Sequence, residues 1–219
     1  MLKINKSVTP SPEQWELVIE GARNPMNSWA KSDSELMFDL DPFSEKGVWF
    51  NIGPNDLNLL TKLARAGKDH RKYMRMIPVL IDVTAPLYWW KEFDTYKVGT
   101  TANSTSTMHK IQSKAFSRDD FSHDHMSDFA LDSLDRTIAD IEDRRQKFLE
   151  TKDKSYWYDM IQLLPTSYNQ KRTLSLNYEV LANIYHSRRN HKLDEWHSLC
   201  DFIETLPYAH LITGEVSQS

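Results

Sequence analysis

Two stretches of this chain carry residue types that could do chemistry. The first runs from Tyr88 to Lys110. Between Thr100 and Thr107 it holds six hydroxyl side chains and the amide of Asn103, and Tyr88, Trp89, Trp90 and Phe93 precede them. Small polar groups beside aromatic rings suit a ligand with a flat ring and a polar or phosphorylated end. The same composition also suits a Ser/Thr-rich helix start behind a packed aromatic run. If a helix opens near Asn103, then Asn103 and Ser106 share a face one turn apart. The second stretch leads to Arg188. Leu174, Asn177, Leu181, Ile184 and Arg188 recur at helical spacing, so one helix over Arg172 to Arg189 would carry them on one stripe. A buried arginine there needs an anion, because an unpaired buried charge is costly. That anion is either a carboxylate of the chain or a ligand phosphate, and a guanidinium grips both with paired hydrogen bonds.

Other candidates carry less. His123-Asp124-His125 resembles metal-ligand spacing, but i and i+2 do not share a helix face and no third ligand is evident; a solvated loop over Asp119 to Asp128 fits better. His186, His191 and His197 lie near one helix–helix turn without a metal-binding pattern, and no paired general acid and base stands out. The single cysteine, Cys200, sits in an apolar context; alone it supports neither an intrachain disulfide nor a cysteine-rich metal site. Only six glycines occur, with no GxGxxG and no GxxxxGK[ST], so phosphate would have to be held by side chains and helix N-termini.

The elements that must position these residues read as α+β: a small central sheet flanked by helices. Ser11-Pro12-Glu13-Gln14 forms a capping box ahead of Trp15, Val18, Ile19 and Ala22. Gly47 to Ile52 reads as a strand, and Pro54-Asn55-Asp56 opens a helix that Gly67 closes. Met76 to Val83 is a β-branched run whose Pro78 predicts an edge strand or a bulge. Leu87 to Tyr96 reads as a short helix. Asp128 is expected to cap a long helix with Leu131, Leu134, Ile138, Ile141 and Phe148 inward. Lys192 to Leu206 forms the last helix, stopped by Pro207. The 219 residues suit a single domain with a frayed tail from about residue 212. The formal net charge of −4 gives no footprint for DNA or RNA. No signal sequence or membrane-length apolar run is present, so a cytoplasmic protein is expected.

The order of these pieces resembles the flavin-dependent thymidylate synthase family. That family pairs a segment of the form RHRxxSxNExSxRY with a later leucine-proline, a helix patterned NxRxLxHFLxLR and an AQxEIR-type helix. Here His70 and the Met76 to Val83 strand come first. Asn103-Ser104-Thr105-Ser106 stands where NExS would fall. Leu164-Pro165 precedes Asn177, Leu181 and Arg188, which match the Asn, Leu and final Arg of the second pattern, and Glu195-Trp196 lies near the AQ-type position. The similarity spans roughly Asp56 to Pro207. It implies a nucleotide ligand held by Asn103, Ser104, Ser106, Asn177 and Arg188, FAD as cofactor, and a homotetramer. The departures lie on the flavin side. RHR becomes Tyr96-Lys97-Val98, its following serine becomes Thr101, the glutamate becomes Ser104, the next arginine Met108, and the middle arginine of the second pattern Glu179. Tyr96, Lys97 and Thr101 would then line an altered cofactor side. Losing two guanidinium groups predicts that FAD is not held in the family's manner. Two readings of function follow: a divergent thymidylate synthase-like protein binding a pyrimidine (deoxy)nucleotide, or a non-catalytic relative, for example phage-encoded, that sequesters or senses a signalling nucleotide.

Overall fold

Local signals set most helix ends of this computed structural model, which describes residues 1–39 and 47–214. Strand β1 (Lys3–Val8) precedes α1 (Pro12–Arg23), and the capping box forms: Ser11 N donates to Gln14 Oε1 at 2.9 Å, and Gln14 N donates to Ser11 Oγ at 3.3 Å. The short strands β2 (Glu35–Phe38) and β3 (Val48–Asn51) pair antiparallel, Glu35 opposite Asn51. Helix α2 (Pro54–Arg65) starts on its proline; Ala66 caps its end and Gly67 follows at φ +101°. Then come β4 (Pro78–Pro86), α3 (Leu87–Phe93), β5 (Thr101–Ser104), α4 (Asp128–Thr151), α5 (Lys154–Leu163), β6 (Asn169–Asn177), α6 (Tyr178–Arg188), α7 (Asp194–Glu204) and α8 (His210–Thr213). The main sheet has the order β1-β4-β6-β5. The architecture is α+β, a small sheet flanked by helices, as expected. Among the described residues no helix is long and apolar enough to cross a membrane.

Several sequence expectations change. β4 is an internal strand, not an edge; Pro78 is tolerated because it is the strand's first residue. The residues 172–177 form the second half of a strand, not the start of a helix, with Gln170, Leu174 and Leu176 buried and Lys171, Thr173 and Ser175 exposed. No helix opens at Asn103, since Thr101 to Ser104 is β5. Ser127, not Asp128, caps α4, its side chain accepting from Ala130 N. Phe121 and Ser122 are buried, so the stretch from Asp119 is not wholly solvated. Ile212 is buried at the end of α8; the expected fraying beyond Gly214 lies outside the described residues.

The chain contacts divide into two compact units. One comprises Met1–Asn5, Asp82–Thr95 and Ala102–Thr173. Its interior is aromatic: Trp89 stacks on Phe93 at 5.1 Å, and Trp90 meets both edge-on while donating through Nε1 to Gln170 O at 2.9 Å. These rings are core, not a ligand platform. Arg172 lies over Trp90 at 4.3 Å and pairs with Asp94 at 2.6 Å. Ile141 and Met160 bury a smaller cluster with Ile111.

The other unit comprises Lys6–Ile81, Tyr96–Thr101 and, among the described residues, Leu174 onward. Val18 and Ile19 of α1, Leu60 of α2, Tyr178, Leu181 and Ile184 of α6, and Trp196, Leu199 and Ile203 of α7 are all buried in it. Arg23 and Asp56 form a buried ion pair at 2.5 Å. Burial alone would raise the Asp56 carboxyl, but hydrogen bonds from Ser34, Ser32, Arg23 and the Asp33 N–H outweigh it and hold it below the usual range.

Glu142 in the first unit supplies a pH test. Arg145 donates to it at 2.8 and 2.6 Å, and Phe116 N and Gln146 Nε2 add further bonds. These contacts, Arg145 first, pull its carboxyl from 4.5 down to about 2. A depressed carboxyl stabilises the fold fully above its ordinary value, and that contribution is lost as pH falls through about 2. Urea unfolding should therefore show the wild-type midpoint falling between pH 4.5 and 2. The Glu142→Gln protein should begin lower at pH 7 and fall less across that window; equal slopes would contradict the pairing.

Candidate functional site

In the second unit the site is built around α6. β6 ends and α6 begins at Asn177, whose Oδ1 accepts from Val180 N at 3.0 Å. This is an N-cap, satisfying one of the free N–H groups of the first turn. Asn177 and Arg188 therefore stand at opposite ends of one helix, roughly 16 Å apart along its axis. They do not share an apolar stripe, because Leu174 belongs to the strand. Arg188 is half-buried: its Nε donates to Tyr96 Oη at 2.9 Å, and its guanidinium lies 4.7 Å from the Trp196 ring and 5.7 Å from the Tyr96 ring. Tyr96 and His191 both meet Trp196 edge-on. The guanidinium thus lies against the Tyr96 and Trp196 rings and donates to the Tyr96 hydroxyl.

The segment 96–101 meets α6 at both ends. Tyr96 touches Arg188, while Gly99 passes Asn177 so closely that a Cβ at Gly99 would lie 3.0 Å from Asn177 Nδ2 and 3.1 Å from Val180 Cγ2. Its φ of +75° also favours glycine. Next to it the Thr100 hydroxyl is buried with no hydrogen-bond partner among the described residues. Lys97, Val98 and Thr101 are exposed, Val98 at 92%. Of the expected site residues, this unit therefore brings together Tyr96 with Arg188, and Asn177 with the turn at Gly99.

Asn103, Ser104 and Ser106 lie in the first unit and are all exposed. As successive residues of β5, Asn103 and Ser104 point to opposite faces. Ser106 Oγ accepts from Met108 N at 3.2 Å and His109 N at 2.8 Å, so it closes a turn rather than sharing a helix face with Asn103. Thr105 continues the strand pairing through its N–H to Lys171 O at 2.9 Å. Among the described residues no group of three or more His, Cys, Asp or Glu is placed to hold a metal. His123 Nδ1 lies 2.9 Å from Phe121 O.

Two features of this neighbourhood were not legible from the sequence. Trp196 was readable only as an inward residue of the last helix, since nothing in its own spacing shows that Arg188 lies on its face. Glu179 was readable as a lost arginine, but its role is new. It is buried and pairs with Arg71 at 3.4 Å and with Arg75, and Arg71 also donates to Asn183 at 2.9 Å. Hydrogen bonds from Arg75, and then from Arg71, outweigh burial and hold its carboxyl below the usual range. Two cations from the 71–75 segment answer the carboxylate on the first turn of α6.

No protein-family model matches the chain, and no curated protein matches it in sequence. Solved structures match it in fold. Flavin-dependent thymidylate synthase ThyX from Helicobacter pylori, complexed with FAD and dUMP, superposes with a TM-score of 0.62 at 14% identity, covering 96% of this chain and 95% of that one. A second structure of the same enzyme with FAD and dUMP gives the same score and identity over 96% and 94%. The UMP/dUMP methylase PolB from Streptomyces cacaoi, bound with 5-Br dUMP, gives 0.61 at 13% over 98% and 94%. The chain has the fold of the flavin-dependent thymidylate synthases.

The pairing of Glu179 can be checked directly. Glu179→Arg would place a third guanidinium against Arg71 and Arg75 in a buried setting, with a cost of about 3–5 kcal/mol. Thermal melting should drop markedly, whereas Glu179→Gln should drop less. An Glu179→Arg protein as stable as wild type would show that the pairing does not hold this segment.

Proposed function

We propose that the chain is a divergent flavin-dependent thymidylate synthase-like protein that binds a pyrimidine deoxynucleotide and does not run the flavin reaction. One observation carries the reading. Arg188, which stands where the resemblance places a nucleotide contact, is oriented by Tyr96 and Trp196 rather than left as a loose surface cation. The fold likeness to dUMP-bound proteins over 96% of the chain supports the same ligand class. The close backbone turn at Gly99 lies beside Asn177.

The donor set does not fit FAD. At positions 96–98 a flavin dinucleotide held as in the family would meet a phenol already engaged by Arg188, one exposed ammonium and an exposed isopropyl group. This favours binding without methyl transfer, the sequestering or sensing role, over a working synthase. Purified protein should show no flavin absorption; stoichiometric FAD would overturn this part of the reading. The family resemblance also supports self-association as a homotetramer, and light scattering that reports the monomer mass of 25.7 kDa at high concentration would contradict it.

Calorimetric titration with dUMP tests the binding itself. Wild type should bind. Arg188→Ala should lose roughly 1.5–3 kcal/mol of affinity, the usual worth of a charged hydrogen bond. Tyr96→Phe, which keeps the ring but removes the acceptor of Arg188 Nε, should weaken binding severalfold while melting normally. Unchanged affinity in both variants would refute the assignment.

A further inference from the structure

The first unit contains an open depression of about 630 Å³ that the reading above does not use, apart from Ser106 on its rim. Lys110, Lys114 and Lys171 all line it, against one lining carboxylate, Asp120. In a chain of net charge −4 this is a local reversal of sign. Lys114 pairs with Asp120 at 2.7 Å and Lys171 with Asp82 at 2.8 Å, while the Lys110 ammonium makes no ion pair among the described residues. Both paired lysines keep their side chains more than half exposed, so their ammonium groups remain reachable from solvent. Phe116 and Tyr168, half-buried and 6.3 Å apart edge-on, form the apolar part of the wall.

We infer that this depression binds a nucleoside polyphosphate, its phosphate chain on Lys110, Lys114 and Lys171 and its base against Phe116 and Tyr168. Lysine ammoniums act as point charges that suit a chain of several phosphates rather than one fixed oxyanion. Every base offers a face to an aromatic wall. The volume lies within the range of small-molecule sites. The carboxylates of Asp120 and Asp82 hold two of the lysines in place, and a polyphosphate would share those ammoniums rather than displace them. The inference goes beyond Arg188 and does not need it.

Titration with inorganic tripolyphosphate, dUTP and dUMP tests this on the intact protein. Tripolyphosphate has no base, so its binding does not depend on the pyrimidine reading. It should bind wild type and Arg188→Ala alike, and lose roughly tenfold or more in affinity in Lys110→Ala/Lys171→Ala, with Lys110→Ala alone giving a smaller loss in a protein whose ion pairs are untouched. In Arg188→Ala, dUTP should bind about tenfold tighter than tripolyphosphate because of the ring contact. No tripolyphosphate binding, or binding unaltered by the lysine substitutions, overturns the inference whatever dUMP does. So does dUTP no tighter than tripolyphosphate in Arg188→Ala, or an oligodeoxynucleotide bound more tightly than dUTP.

Discussion

Helix α6 starts on the residue where strand β6 stops, and that junction at Asn177 fixes much of what the second unit can do. With no intervening loop, the helix direction follows from the strand, and the Asn177 side chain closes the first turn by accepting from Val180 N. Tyr178, Val180, Leu181, Ala182, Ile184 and Tyr185 then bury the helix almost all round. Three turns later the same rigid element delivers Arg188 to Tyr96 and Trp196. Gly99 permits the neighbouring turn to pass within contact of Asn177, where any Cβ would crowd its amide. Arg188 therefore inherits its position from backbone hydrogen bonding at the other end of its helix.

The electrostatics of that unit follow from the same burial. A carboxylate on the first turn of α6 is favoured by the helix dipole, but Glu179 is buried and needs cations as well. Arg71 and Arg75 supply them, so the segment before β4 is tied to α6 by charge as well as by packing. A second buried pair, Arg23 with Asp56, ties α1 to α2 and also holds residues 28–34 through backbone carbonyls and serine hydroxyls. Both arrangements are chain-specific solutions for keeping charged groups inside.

Signals that act over three or four residues were readable in the sequence. The Ser11 capping box, Pro54 at a helix start, and the inward Trp196, Leu199 and Ile203 of α7 all stand where expected. Where two periods fit one stretch, sequence reasoning failed. Leu174, Asn177 and Leu181 match helical spacing, yet Gln170, Leu174 and Leu176 also match alternation, and pairing in the sheet decided the matter. The hydroxyl-rich stretch misled in the same way: Ser106 does cap, but it caps a turn after β5 rather than a helix. Tyr96, Asn177 and Arg188 could be singled out in the sequence as candidates. Their contacts were not legible, because the Arg188–Trp196 stack and the Gly99–Asn177 approach join residues that no local pattern links.

The central proposal is that this chain binds a pyrimidine nucleotide and does not hold FAD. Thermal melting of the intact protein against dUMP, UMP, dTMP, AMP and FAD tests it most directly, since a ligand that binds only the native state raises the melting temperature by mass action. The account predicts a rise with the pyrimidine nucleotides and none with FAD. A melting temperature raised by FAD and unmoved by every pyrimidine nucleotide would contradict it.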